Sequence, residues 1–418
     1  MQFVIGIDTG GTFTDITVVD ERGNMVIAKS PTTSDHLTGI VSAIAAAAEA
    51  LGVSTTDLIA STTKFVYGTT VAINALLQRL SDGQVGLIAT RGFADTLYLR
   101  RSMREDQYNS QEPFPLPFVR RAHTREVTER IDWAGKVVIP LDEDEARRVI
   151  RQLVREKKLV KDRIGAVAVC LIHAYANPAH EGRIAELLHE EFPDILVSLS
   201  SDVAPEIREY ERMSTTVFNA CIGNTTVTHF EALQTELRRR GLKAPILIMH
   251  AAGGASGIPE VNARPIITLY SGPAAGLVAA RYMSELMNMP NIISVDMGGT
   301  SFDVGIVQGG EMIRTMSGKL AGFPIMRDSV EIHSIGAGGG SIAWVDDQGI
   351  PKVGPQSAGA VPGPVCYDRG GVEPPVTDAD VVLGYLDPDN FLGGKIRQSH
   401  EKAYQAIKER FADKIGLS

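Results

Sequence analysis

The chain has 418 residues, of which 44% are hydrophobic and 22% are charged, and its formal net charge is −9. This length predicts two or three domains, and the acidic balance gives no sign of a nucleic-acid-binding surface. The N-terminal residues do not resemble a signal peptide and no segment is long and apolar enough to span a bilayer, so we expect a cytoplasmic protein without membrane contact. The three cysteines lie far apart, which argues against a disulfide framework and a Cys-x-x-Cys metal site.

Apolar periodicity and breaks at Gly or Pro predict alternating strands and helices in the first half of the chain. The expected strands are residues 3–9, 15–20, 25–29, 85–90 and 165–172, and the expected helices are residues 38–51, 71–80, 141–160 and a segment after Pro178. Residues 100–130 are charged and interrupted by prolines, so we expect a loop there rather than part of the core.

The second half repeats this alternation. The expected strands are residues 195–200, 245–250, 292–296 and 304–308, and the expected helices are residues 271–286 and 399–412. Residues 330–345 indicate a strand, a Gly-rich turn and a second strand, and residues 354–375 indicate a long irregular loop. Strands that alternate with helices predict an α/β fold with a mixed or parallel sheet covered by helices.

One short sequence occurs twice, as IGIDTGGTFTD at residues 5–15 and as ISVDMGGTSFD at residues 293–303. In each copy an Asp precedes a Gly-Gly-Thr turn, a second Asp follows it, and β-branched residues flank both sides. A repeat at this distance indicates a duplicated domain rather than a solenoid. We therefore predict two domains, residues 1–195 and residues 196–418, with one copy in each.

Each of these turns is suited to binding phosphate. A Gly-Gly pair lets the backbone turn sharply and aim several N–H groups at one point, a concavity that binds phosphate oxygens. Thr12, Thr300 and Ser301 would add hydroxyl donors, and Asp8 and Asp296 suit a hydrated Mg²⁺ that bridges phosphates. Two such turns facing each other would clamp one nucleoside triphosphate from both sides. The alternative is that each turn only closes a hairpin through an Asx-type hydrogen bond.

The paired turns resemble the phosphate loops of the actin, sugar-kinase and heat-shock-chaperone ATPase fold, in which duplicated ribonuclease H-like domains form two lobes around a cleft. Longer segments resemble the A-type subunit of the hydantoinase/5-oxoprolinase family, to which acetone and acetophenone carboxylases also belong. These segments run in order from residue 4 to about residue 395: GGTFTD, YGTTVAINALL, TRGFADTL, CLIHAYANPAHE, EIREYERMSTT, LYSGPAAG, DMGGTSFDV, GAGGGSIAWVD, GPQSAGAVPGPVCYDRGG and PVTDADVVLGYLDPDNFLGG.

The resemblance implies that the chain binds ATP and Mg²⁺ and phosphorylates the oxygen of a small carbonyl compound or cyclic amide. The activated substrate is then hydrolysed or carboxylated, usually with a B-type partner subunit in a hetero-oligomer. From the residues and the resemblance together, we expect catalysis by Asp8, Asp296 and Asp303, with Asp8 and Asp296 also binding the metal. The residues expected to bind the nucleotide are Thr9, Gly10, Gly11, Thr12, Gly272, Gly298, Gly299, Thr300, Ser301, Gly336, Gly338, Gly339 and Gly340. The residues expected to contact the substrate are Tyr67, Thr69, Thr70 and Arg104.

Two features depart from the family pattern. The family usually has His-Gly-Thr-Thr where this chain has Tyr67-Gly-Thr-Thr, so the side chain keeps a polar tip but does not titrate near neutral pH. A-type chains also generally extend well past 418 residues with a further C-terminal domain.

We favour ATP-dependent hydrolysis of a cyclic amide over three other functions. A ketone carboxylase shares the phosphorylation step and would differ in needing bicarbonate. A nucleotide-gated partner protein of the same fold would need paired cysteines for a shared iron–sulfur cluster, or an appended peptide-binding domain. A small-molecule kinase would release a stable phosphorylated product.

Several other polar residues have two interpretations. Asp303, rather than Asp15, is expected to orient water or the acceptor oxygen, while the other carboxylate braces its hairpin. His180 and the adjacent Glu181 could bind a metal with His173, but a helix-cap and packing role is favoured. The charge run at residues 208–212 and the arginines among residues 100–104 are either solvated surface or part of a site for an anionic intermediate.

Overall fold

The computed structural model describes residues 1–33, 35–77, 85–102, 106, 108–109, 111, 115–155, 164–299, 301–359, 361–391, 394 and 397–417. Two residues expected in the site, Thr300 and Arg104, lie outside these ranges. The predicted helices at 71–80 and 141–160 are described as far as Leu77 and Arg155.

Strands and helices alternate along the described chain, as predicted. The strands are β1 Phe3–Thr9, β2 Phe13–Asp20, β3 Met25–Pro31, β4 Thr62–Thr69, β5 Val85–Thr90, β6 Thr124–Val127, β7 Arg130–Ile131, β8 Val137–Ile139, β9 Ala166–Cys170, β10 Leu196–Leu199, β11 Ile246–Met249, β12 Ala255–Gly257, β13 Ile292–Met297, β14 Phe302–Gln308, β15 Glu311–Met312, β16 Arg314–Leu320, β17 Phe323–Val330, β18 Ile332–Ile335, β19 Ser341–Val345 and β20 Pro351–Ser357. The helices are α1 Leu37–Leu51, α2 Thr55–Ala60, α3 Val71–Leu77, α4 Thr96–Leu99, α5 Glu143–Arg155, α6 Ala179–Glu191, α7 Ser200–Val203, α8 Glu209–Arg239, α9 Ile258–Ala263, α10 Ser271–Met287, α11 Val376–Val382 and α12 His400–Arg410.

The first sheet has six strands in the order β12-β11-β4-β1-β2-β3. Strands β1 to β3 are antiparallel, whereas β4 runs parallel to β1 and β11 runs parallel to β4. Alternate residues of β1, namely Phe3, Ile5 and Ile7, are buried and pack with the apolar faces of α1 and α8. This alternation leaves Asp8 on the opposite face, at the end of the strand where the first Gly-Gly turn begins.

The second sheet is parallel and has the order β10-β9-β5-β6. Strand β6 corrects the expectation of a loop throughout residues 100–130, because it pairs with β5 and Val127 is fully buried. Its sequence, Thr-Arg-Glu-Val, has only one strongly apolar residue, so composition did not distinguish this edge strand from a charged loop. Helix α8 packs against this sheet as well as the first one.

The third sheet repeats the start of the first. Its order β13-β14-β15 corresponds to β1-β2-β3, and β18 also pairs with β14. The duplicated α/β architecture expected from the sequence is therefore present. The side of β13 that corresponds to the β4 side of β1 has no neighbouring strand among the described residues.

The division at residues 195 and 196 does not coincide with a boundary between sheets. Strand β10 pairs with β9, and β11 and β12 complete the first sheet, although all three follow residue 195. Among the residues that the structure describes, no helix combines the length and apolarity required to cross a bilayer.

Candidate nucleotide site

The two Gly-Gly turns have the same backbone geometry. Gly10 N–H donates to the carbonyl oxygen of Phe13 at 3.0 Å, and Gly298 N–H donates to that of Ser301 at 2.9 Å. The strand registers also correspond, since Asp8 lies opposite Asp15 in one hairpin and Asp296 lies opposite Asp303 in the other. The repeat recognised in the sequence is therefore also a repeat of hydrogen-bonded structure.

The tips of the two turns face each other. A Cβ atom on Gly299 would lie 3.5 Å from Thr12 Oγ1, which is ordinary contact distance. Asp8 and Asp296 are also close enough for the charge of the second to raise the pKa of the first. The fold thus brings together the turns from two different sheets, as a two-sided phosphate clamp requires.

Asp8 lies at the centre of this arrangement. A Cβ atom on Gly68 would lie 2.8 Å from Asp8 Oδ1, and one on Gly272 would lie 3.1 Å from it, so both glycines leave room for the carboxylate. Asp8 is exposed to solvent, but the protein atoms packed around its carboxylate displace water from it. This desolvation, with the charges of Asp15 and Asp296, raises its pKa to about 6. A cation would stabilise the charged form of such a crowded carboxylate.

The carboxylates of Asp8 and Asp296 fit Mg²⁺, which proteins usually hold through one or two carboxylates, while phosphate and water oxygens complete the shell. Among the described residues, no group of three His, Cys, Asp or Glu side chains could hold a metal ion. The donor set therefore suits an ion that arrives with a phosphate ligand rather than one held by protein side chains alone.

The start of helix α10 closes one side of the site. Thr69 N–H donates to Ser271 Oγ at 3.1 Å, and Ser271 Oγ donates to the Thr69 carbonyl at 2.9 Å. Thr70 N–H donates to the carbonyl of Thr9 at 3.1 Å, so the end of β4 is fastened to both the first turn and the helix. The helix begins with Ser271 and Gly272 beside Asp8, and a helix N-terminus carries partial positive charge that favours bound phosphate.

The predicted Gly-rich turn lies between β18 and β19 and packs directly on the second phosphate turn. Gly339 N–H donates to the Gly298 carbonyl at 2.9 Å, and Gly340 N–H donates to the Gly299 carbonyl at 2.7 Å. A Cβ atom on Gly340 would lie only 2.7 Å from the Gly299 oxygen, so a side chain is sterically excluded there.

The remaining glycines of this turn differ in their exposure. Gly338 is buried, and its N–H donates to Ser341 Oγ at 2.8 Å, which closes the turn. Gly336 is exposed and has no atom within 4 Å of its Cβ position. The open start of the turn is the part that is accessible to a ligand.

The carboxylates that follow the two turns have different surroundings. Ser301 Oγ donates to Asp303 Oδ2 at 3.2 Å, and Ser334 Oγ donates to Asp303 Oδ1. Asp15 instead forms an ion pair with Lys29 of β3 at 2.7 Å. Asp15 is thus tied to β3, and the expected roles of Asp303 on the reacting oxygen and of Asp15 as a brace stay predictions.

Tyr67 lies in the core of the first sheet, on the face of β4 that packs against α8. Its side chain is 0% exposed, and its hydroxyl forms a 3.0 Å hydrogen bond with His229 Nε2 on α8. Burial raises the pKa of Tyr67 to about 12. The hydroxyl also lies close to the side chains of Thr9 and Thr69, and the substrate contact expected for Tyr67 stays a prediction.

His229 belongs to this buried cluster, and the sequence carried no signal for it. Burial, with a smaller contribution from His36, lowers the pKa of His229 to about 4. The rings of His36 and His229 are 5.7 Å apart. A histidine so remote in sequence can be assigned to Tyr67 only once the packing of α8 on β4 is known.

His180 and Glu181 have structural roles in the second sheet. Glu181 is fully buried and accepts hydrogen bonds from Leu171 N–H at 2.8 Å and Ser200 Oγ at 2.6 Å. His180 Nδ1 lies 2.8 Å from a carboxylate oxygen of Glu129. The packing role favoured for this pair agrees with these contacts.

Two family models match the chain: the hydantoinase/oxoprolinase N-terminal region matches residues 4–192, and the hydantoinase/oxoprolinase model matches residues 212–418. The chain belongs to the hydantoinase/oxoprolinase family. Within this family it is 37% identical to caprolactamase subunit alpha of Pseudomonas jessenii, over 100% of this chain and 59% of that protein.

Two solved structures of family members have the same fold as this chain. The nucleotide-free structure of acetone carboxylase, from work on ATP-dependent acetone carboxylation, is 32% identical with a TM-score of 0.84, over 100% of this chain and 60% of that one. The ATP-dependent caprolactamase from Pseudomonas jessenii is 37% identical with a TM-score of 0.82, over 99% of this chain and 59% of that one. The chain thus spans about three fifths of the length of these relatives.

Proposed function

We propose that this chain is the nucleotide-binding part of an ATP-dependent enzyme that opens a cyclic amide, such as a hydantoin, 5-oxoproline or another lactam, by phosphorylating its carbonyl oxygen. The observation that carries this proposal is the pair of Asp-x-Gly-Gly turns, which share one hydrogen-bond pattern and face each other beside Asp8. The similarity to an ATP-dependent caprolactamase supports the choice of a cyclic amide.

Bound Mg·ATP would supply the phosphoryl group. The N–H groups of the two turns would hold phosphate oxygens from opposite sides, and Asp8 and Asp296 would hold the metal ion. The start of α10 would add partial positive charge, and the open end of the Gly-rich turn at Gly336 would border the adenosine. Phosphoryl transfer depends mainly on such positioning and charge stabilisation, and it makes the amide carbon a better electrophile.

Asp303 would position the acceptor group. The hydroxyls of Ser301 and Ser334 hold its carboxylate at the start of β14, directly after the second turn. Asp15, at the corresponding place in the first hairpin, is paired with Lys29 and would only brace that hairpin. The two carboxylates therefore provide a matched pair of substitutions.

The second candidate is the nucleotide-binding part of a ketone carboxylase. The similarity to acetone carboxylase, with its TM-score of 0.84, favours this candidate. Both functions begin with phosphorylation of the carbonyl oxygen. They differ in the next step, because the activated substrate is hydrolysed in one and carboxylated in the other. The dependence of phosphate release on bicarbonate separates them.

We also propose that the chain works in a hetero-oligomer with a second subunit of the B type. The observation in support is that β13 is an edge strand among the described residues, and that its side chains Ile293, Val295 and Met297 are more than half exposed. Helix α10 next to it exposes Leu286 and Met287 to a similar degree. Exposed apolar patches of this kind mark interaction surfaces.

The test of assembly is co-purification of the chain with a co-expressed B-type subunit. Ile293→Lys should abolish co-purification, whereas Ile27→Lys on the similarly exposed β3 should not. Equal loss in both variants, or retention in both, would count against a role for the β13 edge.

The test of function is phosphate release from Mg·ATP in the complex, with hydantoin, 5-oxoproline, caprolactam or acetone as substrate, each with and without bicarbonate. Stimulation by one cyclic amide without bicarbonate, abolished by Asp296→Asn, would support hydrolysis. Phosphate release that requires both a ketone and bicarbonate would refute hydrolysis and support the carboxylase. A stable phosphorylated product with no free phosphate would refute both.

A further inference from the structure

A second concave site lies away from the phosphate turns, at the carboxyl edge of the parallel sheet β10-β9-β5-β6. It consists of two cavities of about 270 Å³ and about 400 Å³ that share Ile172, His173 and Glu209, so they form one continuous groove. The loops after all four strands contribute to its walls. Open parallel sheets bind ligands at this edge, beside the point where the strand order reverses, which here lies between β5 and β9.

One end of the groove is cationic. Arg101, Arg208 and Arg212 line the smaller cavity, against one carboxylate, Glu209. Arg101 is paired with Glu211 at 2.6 Å, whereas Arg208 is exposed and its side chain has no hydrogen-bond or ion-pair partner among the described residues. At this end of the groove, Arg208 is therefore the arginine whose charge remains available to a ligand.

Arg212 is the buried arginine at this end of the groove. Its side chain is 1% exposed, and its guanidinium donates to the carbonyls of Leu171 at 2.5 Å and Glu206 at 3.1 Å. Its Nε–H is itself buried and forms no hydrogen bond with a described oxygen or nitrogen atom, and the ring of Tyr175 lies 5.3 Å from its Cζ. The guanidinium therefore places a fixed positive charge behind the wall of the cavity, which favours an anion there.

The other end of the groove is largely apolar. Phe93, Ile131 and Trp133 line the larger cavity, and Ile172 joins it to the cationic end. Two charged residues, Arg130 and Asp132, also border it, and the Arg130 guanidinium lies over the Phe93 ring at 5.2 Å. Trp133 is 79% exposed, so a large aromatic surface faces solvent unless a ligand covers it. Pockets that combine apolar walls with a few convergent polar groups are typical of small-molecule sites.

The backbone at the groove is also unusual. His173, Arg101 and Arg208 adopt positive φ angles of 58°, 53° and 83°. Non-glycine residues rarely adopt this conformation, and such strain concentrates at ligand sites. His173 is held in place by a 2.8 Å contact between its Nδ1 and the carbonyl of Ile131, so the strained loop is fixed rather than loose.

We propose that this groove binds a small organic carboxylate with an apolar body. The carboxylate lies against Arg208, with the buried positive charge of Arg212 behind it, and the apolar body extends past Ile172 to Trp133. The acid released when a cyclic amide is opened belongs to this chemical class, and that connection alone rests on the proposed function.

The test is calorimetric titration of the full chain with hexanoate, hexan-1-ol and acetate, without ATP. Hexanoate should bind saturably and at least about tenfold more tightly than either of the others, because each lacks one of the two recognition features. No saturable binding of hexanoate, or equal binding of hexan-1-ol, would overturn the proposal.

Two exposed substitutions locate the binding. Arg208→Gln should weaken hexanoate binding at least about tenfold, and Trp133→Ala should weaken hexanoate but leave acetate unchanged. Arg148→Gln, an exposed arginine on α5 outside the groove, is the matched control. Unchanged hexanoate binding in Arg208→Gln, or equal weakening in Arg148→Gln, would refute the assignment.

This experiment is independent of the phosphate-release assay. Hexanoate binding should be unchanged in Asp296→Asn, which disables the nucleotide site. If phosphate release fails with every substrate while hexanoate binds as expected, only the proposed function is lost. If cyclic amides stimulate phosphate release but hexanoate does not bind, only the groove proposal is lost.

Discussion

The substitution Gly272→Ala tests whether the position of Asp8 matters for nucleotide binding. Gly272 is the second residue of α10, and a Cβ atom there would lie 3.1 Å from Asp8 Oδ1 and 3.4 Å from Oδ2. These distances are shorter than comfortable carbon–oxygen contacts, and the atoms approached are the far end of a side chain. We therefore expect the carboxylate to move by a few tenths of an ångström while the helix stays in place.

The expected effects on stability and binding have opposite signs. Alanine is favoured over glycine in a helix by up to about 1 kcal/mol, so the free energy of unfolding should be unchanged or slightly raised. A displaced carboxylate should weaken binding of Mg·ATP by at least about tenfold, or roughly 1.4 kcal/mol. Gly276→Ala is the matched control on the same helix, since no atom lies within 4 Å of its Cβ position.

The assays are urea unfolding and calorimetric titration with Mg and a non-hydrolysable ATP analogue. Weaker nucleotide binding in Gly272→Ala with undiminished stability, and normal binding in Gly276→Ala, is the expected pattern. Equal nucleotide affinity in the two variants would refute the placement of Asp8 at the metal.

Three further predictions concern other parts of the molecule. Asp303→Asn should lower phosphate release at least about a hundredfold with little change in Mg·ATP affinity, whereas Asp15→Asn, which loses an exposed ion pair and one of the negative charges near Asp8, should retain most activity. Glu181→Ala should lower the free energy of unfolding by about 2–4 kcal/mol, because buried donors lose their acceptor, whereas the 65% exposed Glu186 should tolerate alanine within about 0.5 kcal/mol. Burial lowers the pKa of His229 from its ordinary 6.5 to about 4 in the folded chain, so the unfolded chain takes up a proton first as the pH falls. The free energy of unfolding should therefore decrease by about 2 kcal/mol from pH 7 to pH 5.

The controls for these predictions differ. Phosphate-release rates and nucleotide affinities must be measured together for the two aspartate variants, and equal rates would remove the distinction between them. For Glu181, a loss of stability no larger than that of the Glu186 variant would contradict the hydrogen-bond argument. The loss of stability between pH 7 and pH 5 should be smaller in His229→Gln, because glutamine cannot take up that proton. If the free energy of unfolding of this variant depends on pH as strongly as that of the unmodified chain, the pH dependence comes from other groups.

The repeated turns were the part of the site that the sequence predicted best. Gly-Gly sequences flanked by β-branched residues restrict the backbone strongly, so turn geometry and strand register followed from local pattern. That the turns face each other was a hypothesis from function, since no local interaction fixes the distance between two sheets. The structure shows that the two turns are in contact, because a Cβ atom on Gly299 would lie 3.5 Å from Thr12 Oγ1.

The features that the sequence could not predict have a common physical cause, which is burial decided by distant packing. Tyr67 was expected beside the substrate, and β4 turns it toward α8, where His229 meets its hydroxyl. Arg212 was part of an ambiguous charge run, yet it is buried under Tyr175 in the wall of the groove. Strand β6 was missed because its pairing with β5, rather than its composition, makes it a strand.

The open edge of β13 has a consequence for handling the chain by itself. Among the described residues β13 has no strand partner on this side, and such an edge strand offers N–H and C=O groups in a row, here accompanied by apolar side chains such as Val295. Two copies could pair edge to edge, which is a common route to aggregation. We expect the isolated chain to become turbid with rising concentration, and Val295→Lys to delay this, because a charge at a strand edge opposes such pairing.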